Sequence, residues 1–123
     1  MSNTTFQGDR GGAIGDEQSP TLPGGVPLAP LHDGNAIPQL GFGVWQVPND
    51  EAADVVVTAL EAGYRHIDTA RGYRNEEGVG RALRAAGLPR DEVFVTSKCP
   101  NQDQGRDNAL RSFDETMADL GLD

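Results

Sequence analysis

Two successive stretches of this chain repeat one order of elements: a helix-patterned segment, a glycine, then a short β-prone run. Asn49, with Asp50 and Glu51 after it, predicts the start of a helix whose apolar residues Ala53, Val56, Val57 and Leu60 recur at helical spacing up to Gly63. Tyr64 to Thr69 then reads as a strand with polar residues at its end. A second helix is predicted from Asn75, with Glu76 and Glu77 in its first turn, through Val79, Ala82, Leu83 and Ala86 to Gly87, ahead of Pro89. Val93 to Thr96 is the second strand, followed by Ser97 and Lys98. A third helix places Leu110, Phe113, Met117 and Leu120 on one face and closes at Gly121. Units that repeat every ~25–35 residues in this order build a parallel sheet covered by helices.

Before these units, Leu28 to Leu31 and Ile37 to Leu40 flank His32-Asp33-Gly34-Asn35, a hairpin signal. Gly41 and Gly43 are expected to let the chain turn into the base of the sheet, and no G-x-G-x-x-G fingerprint opens a helix there. His32 reads as a turn residue and His66 as a core or interface residue. Residues 1–27 are rich in Gly, Pro, Ser, Asp and Gln and too poor in apolar side chains to offset the entropy of ordering them, so a disordered leader is expected, with the folded part at 28–123.

The leader has neither the basic and apolar regions of a secretory signal nor the composition of a transit peptide, and no stretch holds the roughly 20 apolar residues of a membrane span. A cytoplasmic location and no membrane partner are expected. Cys99 is the only cysteine, which excludes an internal disulfide and a cysteine metal cluster; no metal is expected. The formal charge of −9 and the scattered basic residues argue against nucleic acid. Of the ten basic residues, Lys98 is the only lysine.

Three polar residues fall where a barrel built from such units keeps its chemistry, at the C-terminal ends of strands: Asp68, Tyr73 in the loop beyond it, and Lys98. A phenol, with its ordinary pKa near ~10, acts as a general acid at neutral pH when a neighbouring ammonium favours its ionised form. Asp68 would keep that lysine charged and oriented. Such a set suits protonation of a carbonyl oxygen while a hydride reaches the carbon. On spacing alone, Tyr73 could equally be a loop aromatic and the charges solubility features.

The run Gly63-Tyr64-Arg65-His66-Ile67-Asp68-Thr69-Ala70, with Glu76 and Val79-Gly80 following, resembles the aldo/keto reductase signature. The likeness extends from Gly41-Phe42-Gly43-Val44-Trp45 through Asn75 to Leu83, to Phe94-Val95-Thr96-Ser97-Lys98 and to Leu120-Gly121-Leu122-Asp123. It implies an α/β fold, a partial (β/α)8 TIM barrel made of the N-terminal hairpin and the first two to three βα units. It implies an oxidoreductase that reduces small aldehydes and ketones with NADPH, or alternatively NADH. By the resemblance Tyr73 is the proton donor, Lys98 tunes it, and Asp68 partners Lys98 near the nicotinamide. Trp45 and, more weakly, Val44 line the substrate pocket, although Trp45 also reads as a core aromatic.

Two positions depart from the family's pattern. Cys99 and Pro100 follow the lysine where relatives carry Leu and an aromatic, and Arg74 stands where many have Gly. A histidine that orients the carbonyl, and most cofactor contacts, would lie beyond Asp123. The chain is therefore expected to be a truncated, inactive fragment whose open edge and uncovered helix faces favour partial folding or aggregation. A non-catalytic interaction fragment and a Schiff-base barrel aldolase using Lys98 are the competing readings. Natural substrate and oligomeric state are not legible.

Overall fold

The computed structural model describes residues 20–123. β1 (Leu28–Pro30) pairs antiparallel with β2 (Ala36–Pro38). Three βα units follow: β3 (Phe42–Gly43) and α1 (Ala52–Glu61), β4 (His66–Asp68) and α2 (Glu76–Ala86), β5 (Phe94–Thr96) and α3 (Arg106–Leu120). The three strands form one parallel sheet in the order β3-β4-β5, with Gly43 level with Asp68, and Asp68 with Thr96.

The hairpin forms where the sequence predicts it. Asp33 Oδ1 accepts the Asn35 backbone N–H at 3.0 Å, Gly34 takes a φ of 88°, and Leu31 N donates to Asn35 O at 2.8 Å. Most of the expected leader, residues 1–19, lies outside the described residues. Its last part, 20–27, holds a bridge between Thr21 and Pro27, and Leu28 N donates to Pro20 O at 2.8 Å. Backbone bonds thus join residues 20–27 to the edge of the hairpin.

One correction concerns the start of the sheet. Phe42–Gly43, expected only to turn the chain, is the first parallel strand, so the described residues hold three βα units, within the two to three expected. Two residues are too few for a periodic pattern to register. Phe42 sits level with Ile67 on the helix-facing side and packs edge-on against Tyr64, with ring centroids 5.3 Å apart.

Ile67 is fully buried among Val44, Val56, Leu60, Val79, Ala82, Val93 and Leu120, the core between sheet and helices. His66 and Asp68 lie on the opposite face by the two-residue alternation of a strand. His66 Nδ1 stands 3.2 Å from Pro38 O, and because a carbonyl only accepts, that nitrogen carries the proton and Nε2 accepts from Thr96 Oγ1 at 2.8 Å. His66 thus ties the hairpin to two strands. Gly41 makes room for the ring, since a Cβ there would stand 2.8 Å from Nδ1.

The helices differ from the sequence pattern in two places. Asn49 does not cap α1: its Oδ1 accepts the Gly78 N–H at 2.8 Å, in the first turn of α2, and its carbonyl accepts Arg81 Nη2 at 2.6 Å. The side chain satisfies a free donor at the wrong helix for a sequence-local reading. On α3 the buried residues are Ser112, Thr116 and Leu120, whereas Leu110 and Phe113 are 52% and 59% exposed. Of the four apolar residues expected on one covered face, only Leu120 is buried, because no further layer among the described residues covers the rest. A cleft of about 410 Å³ between β5 and α3 results, lined by Phe94, Val95, Phe113, Met117 and Leu122.

No helix among the described residues is long and apolar enough to cross a membrane, and none of them form a group of three or more potential metal ligands. α2 meets α3 at Gly80, where a Cβ would stand 2.5 Å from Leu120 O. Replacing Gly80 with Ala must therefore push the two helices apart, and a loss of about 1–3 kcal/mol is expected from denaturant titration of the variant.

Candidate active site

The three polar residues singled out in the sequence meet at the C-terminal end of the sheet. Asp68 ends β4, Lys98 stands two residues past β5, and Tyr73 closes the short 3-10 turn Arg71–Tyr73 between β4 and α2. Parallel strands in register bring the chain ends level, so Thr69 N donates to Thr96 O at 2.8 Å and Arg71 N to Lys98 O at 3.3 Å. These bonds carry the sheet's alignment beyond the strands into the loops.

Lys98 Nζ has three donors and three acceptors in reach: the Asp68 carboxylate, the Thr69 carbonyl at 2.9 Å and the Tyr73 hydroxyl at 3.5 Å. It also lies 5.2 Å from the centre of the Tyr73 ring, a cation–π distance. Partial burial disfavours the ammonium, but the Asp68 carboxylate and the Tyr73 hydroxyl together outweigh it, and the lysine's pKa is held above its ordinary value. Lys98 remains a cation across the physiological range.

Buried polar side chains build the floor beneath this set. Asn75 is fully buried: its Nδ2 donates to Val44 O at 2.9 Å and Val47 O at 3.0 Å, and its Oδ1 accepts Thr69 Oγ1 at 2.9 Å. Glu76, 3% exposed, accepts Ser97 Oγ at 2.5 Å and Thr116 Oγ1 at 3.1 Å. The sequence reading assigned both residues only to the start of α2. A signal was available, because Glu76 shares the helical phase of Val79, Gly80 and Leu83 and so places a charge on an apolar face.

Trp45 stands just past β3 and is 68% exposed, so it is not a core aromatic of the described residues. Val44 is fully buried, its side chain in the core and its backbone N donating to Asp68 O at 3.1 Å. The structure thus places Val44 behind the site rather than in its wall. Cys99 is an exposed free thiol beside Lys98. Arg74 adopts the left-handed conformation, φ 58°, ψ 33°, and its side chain makes no hydrogen bond or ion pair among the described residues.

The sequence model described as the aldo/keto reductase family matches residues 39–123. An aldo-keto reductase of Mycolicibacterium smegmatis is 50% identical over 97 residues, which cover 79% of this chain and 35% of that protein. Methylglyoxal reductase DkgA of Salmonella typhimurium is 50% identical over 93 residues, 76% of this chain and 33% of its own length. The crystal structure of a Bombyx mori aldo-keto reductase in complex with NADP superposes with a TM-score of 0.74 at 40% identity, covering 80% of this chain and 35% of that one. The chain spans about a third of the length of these relatives.

Two measurements follow from the geometry. Arg74→Gly relieves a left-handed residue whose side chain makes no hydrogen bond or ion pair among the described residues in return, and a rise in stability of roughly 0.5–1 kcal/mol is expected from chemical denaturation. A lysine with a raised folded-state pKa contributes stability that is complete below its unfolded value, about 10.4, and is lost as pH rises through the folded value. Stability measured against pH should therefore fall less steeply above about pH 10 in Asp68→Asn than in the parent chain.

Proposed function

Because this chain belongs to the aldo/keto reductase family, we propose that it carries the proton-donating part of a site that reduces small aldehydes and ketones to alcohols. The observation that carries this reading is the position of Lys98 Nζ between the Asp68 carboxylate, the Thr69 carbonyl and the Tyr73 hydroxyl. Since the ammonium only donates, it occupies a lone pair of the Tyr73 oxygen and leaves the tyrosine's own proton free to point outward. A carbonyl oxygen placed there would take that proton as it gains electrons, and the Lys98 charge would stabilise the phenolate left behind. Asp68 keeps the ammonium oriented throughout.

When bound, a nicotinamide dinucleotide supplies the hydride. The described residues fit the nicotinamide end of such a cofactor: Asp68, at the strand ends, lies beside the proton donor. Beside the strand ends, Lys98 is paired with Asp68 and Arg71 with three carboxylates, so neither is free to hold a phosphate. NADPH is the proposed donor, with NADH as the alternative, in line with the NADP bound by the Bombyx mori relative. Trp45 supplies an apolar wall for a small carbonyl compound of the methylglyoxal kind. Val44 contributes packing only. The exposed free thiol of Cys99 agrees with a reducing cytoplasm.

The aldolase reading needs a neutral lysine, and the contacts that hold Lys98 charged oppose it. The uncovered cleft between β5 and α3 favours a second reading, a fragment that docks on another chain, for which a saturable complex with a full-length relative is the expected result.

With three of eight βα units the chain alone is proposed to be inactive. Joined to the remaining two thirds of the Mycolicibacterium smegmatis relative, it should reduce methylglyoxal with NADPH. In that chimera Tyr73→Phe should lower kcat/KM by about 10²–10⁴-fold, the usual scale for losing a general acid. Retention of activity within a factor of about two, on the same scale, would assign the proton to another group. Borohydride treatment with substrate should leave Lys98 unmodified.

A further inference from the structure

Arg71 belongs to the same 3-10 turn as Tyr73, and it touches both sides of the site. Its backbone N–H donates to the Lys98 carbonyl at 3.3 Å, so the turn is tied to the residue that carries the ammonium. Its guanidinium reaches Glu76 at 3.8 Å, Asp119 at 3.3 Å and Glu115. Glu115 and Asp119 stand one helical turn apart on α3, a spacing that the planar fork of an arginine can span. Elsewhere in the turn, Gly72 has no side chain, the hydroxyl of Tyr73 is bound by Lys98, and the side chain of Arg74 makes no bond among the described residues. Arg71 is thus the side chain through which this turn is fastened to α3.

We infer that Arg71 is a positioning residue for the Tyr73–Lys98 pair, with Glu115 and Asp119 as its anchors. Three features support the assignment. The turn is short, so orienting one end of it orients the other. Glu76 is buried and fixed by Ser97 and Thr116, so the guanidinium has one immobile partner. Glu115 and Asp119 are 47% and 40% exposed, which makes their pairs with Arg71 weak contributors to overall stability, and the expected effect falls on the geometry of the turn. The inference deepens the proposed function, since it concerns the group proposed as proton donor.

Lys98 is the only lysine of the chain, so lysine labelled with ¹³C at Cε gives a single side-chain resonance. The Tyr73 ring, 5.2 Å from Nζ, displaces that resonance by its ring current, and Tyr73→Leu in the 123-residue chain marks the position without it. Arg71→Gln is expected to move the resonance at least halfway toward the Tyr73→Leu position. The double variant Glu115→Gln, Asp119→Asn, which keeps Arg71 and alters only exposed side chains, should move it in the same direction. Asp33→Ala, which removes the turn bonds to Asn35 in the hairpin and touches neither the Arg71–Tyr73 turn nor α3, should leave the folded-state resonance in place. An unmoved resonance in both the Arg71 and the anchor variants overturns the inference, as does an equal movement in Asp33→Ala. The readout requires no cofactor, substrate or turnover, so it is decided separately from the role of Tyr73 in catalysis.

Discussion

Taking a carboxylate out of water costs several kcal/mol unless hydrogen bonds replace what water supplied, and Glu76 is 3% exposed. Its partners come from Ser97, beyond β5, and Thr116, on α3, with Arg71 near by. It also lies at the N-terminus of α2, where the helix dipole favours negative charge. Next to it, Asn75 binds the backbone of residues 44 and 47 and the hydroxyl of Thr69. Two consecutive side chains thereby join all three βα units. If either lost its partners, a buried polar group would be left unpaired, and the units could no longer hold their relative positions at that cost.

This arrangement places the site. Asp68, Tyr73 and Lys98 come from two strand ends and one turn, and none of the three is fixed by its neighbours in sequence. Register between β4 and β5 sets Asp68 level with Thr96, which leaves Lys98, two residues on, within reach of its carboxylate, and the loops that Asn75 and Glu76 fasten carry Tyr73 to them. The same loops are polar and partly exposed, so rigidity at the site rests on a few hydrogen bonds rather than on apolar packing. The core, with Ile67 at its centre, lies on the other face of the sheet. Chemistry and stability are thus divided between the two faces of β4.

The hairpin has a comparable part at the opposite end of the strands. His66 bridges Pro38 and Thr96, and Gly41 leaves the space that its ring fills. Close approaches at Gly41, Gly78 and Gly80 show where backbone and side chains from different units meet with no room for a Cβ. α3 is covered on the side toward α2, while Leu110 and Phe113 on its other side are covered by none of the described residues.

What the sequence by itself determined is local and periodic. The helical spacing of Val56, Leu60, Val79 and Ala82, the β-prone runs at Ile67 and Val95, and the turn at Asp33-Gly34 each depend on residues close in the chain, so their elements were legible. The resemblance to the aldo/keto reductases was legible because the signature is contiguous, and it marked Asp68, Tyr73 and Lys98. Tertiary structure alone decided what depends on partners distant in sequence. It made a strand of Phe42–Gly43, whose two residues hold that form by pairing with β4, and it sent Asn49 to cap α2 instead of α1. It chose Ser112 and Thr116 over Leu110 and Phe113 as the buried face of α3, and it put Val44 in the core and Trp45 in solvent. A hydrogen bond or a packed face is set by which groups meet in space, and the order of residues along one helix or strand does not contain that information.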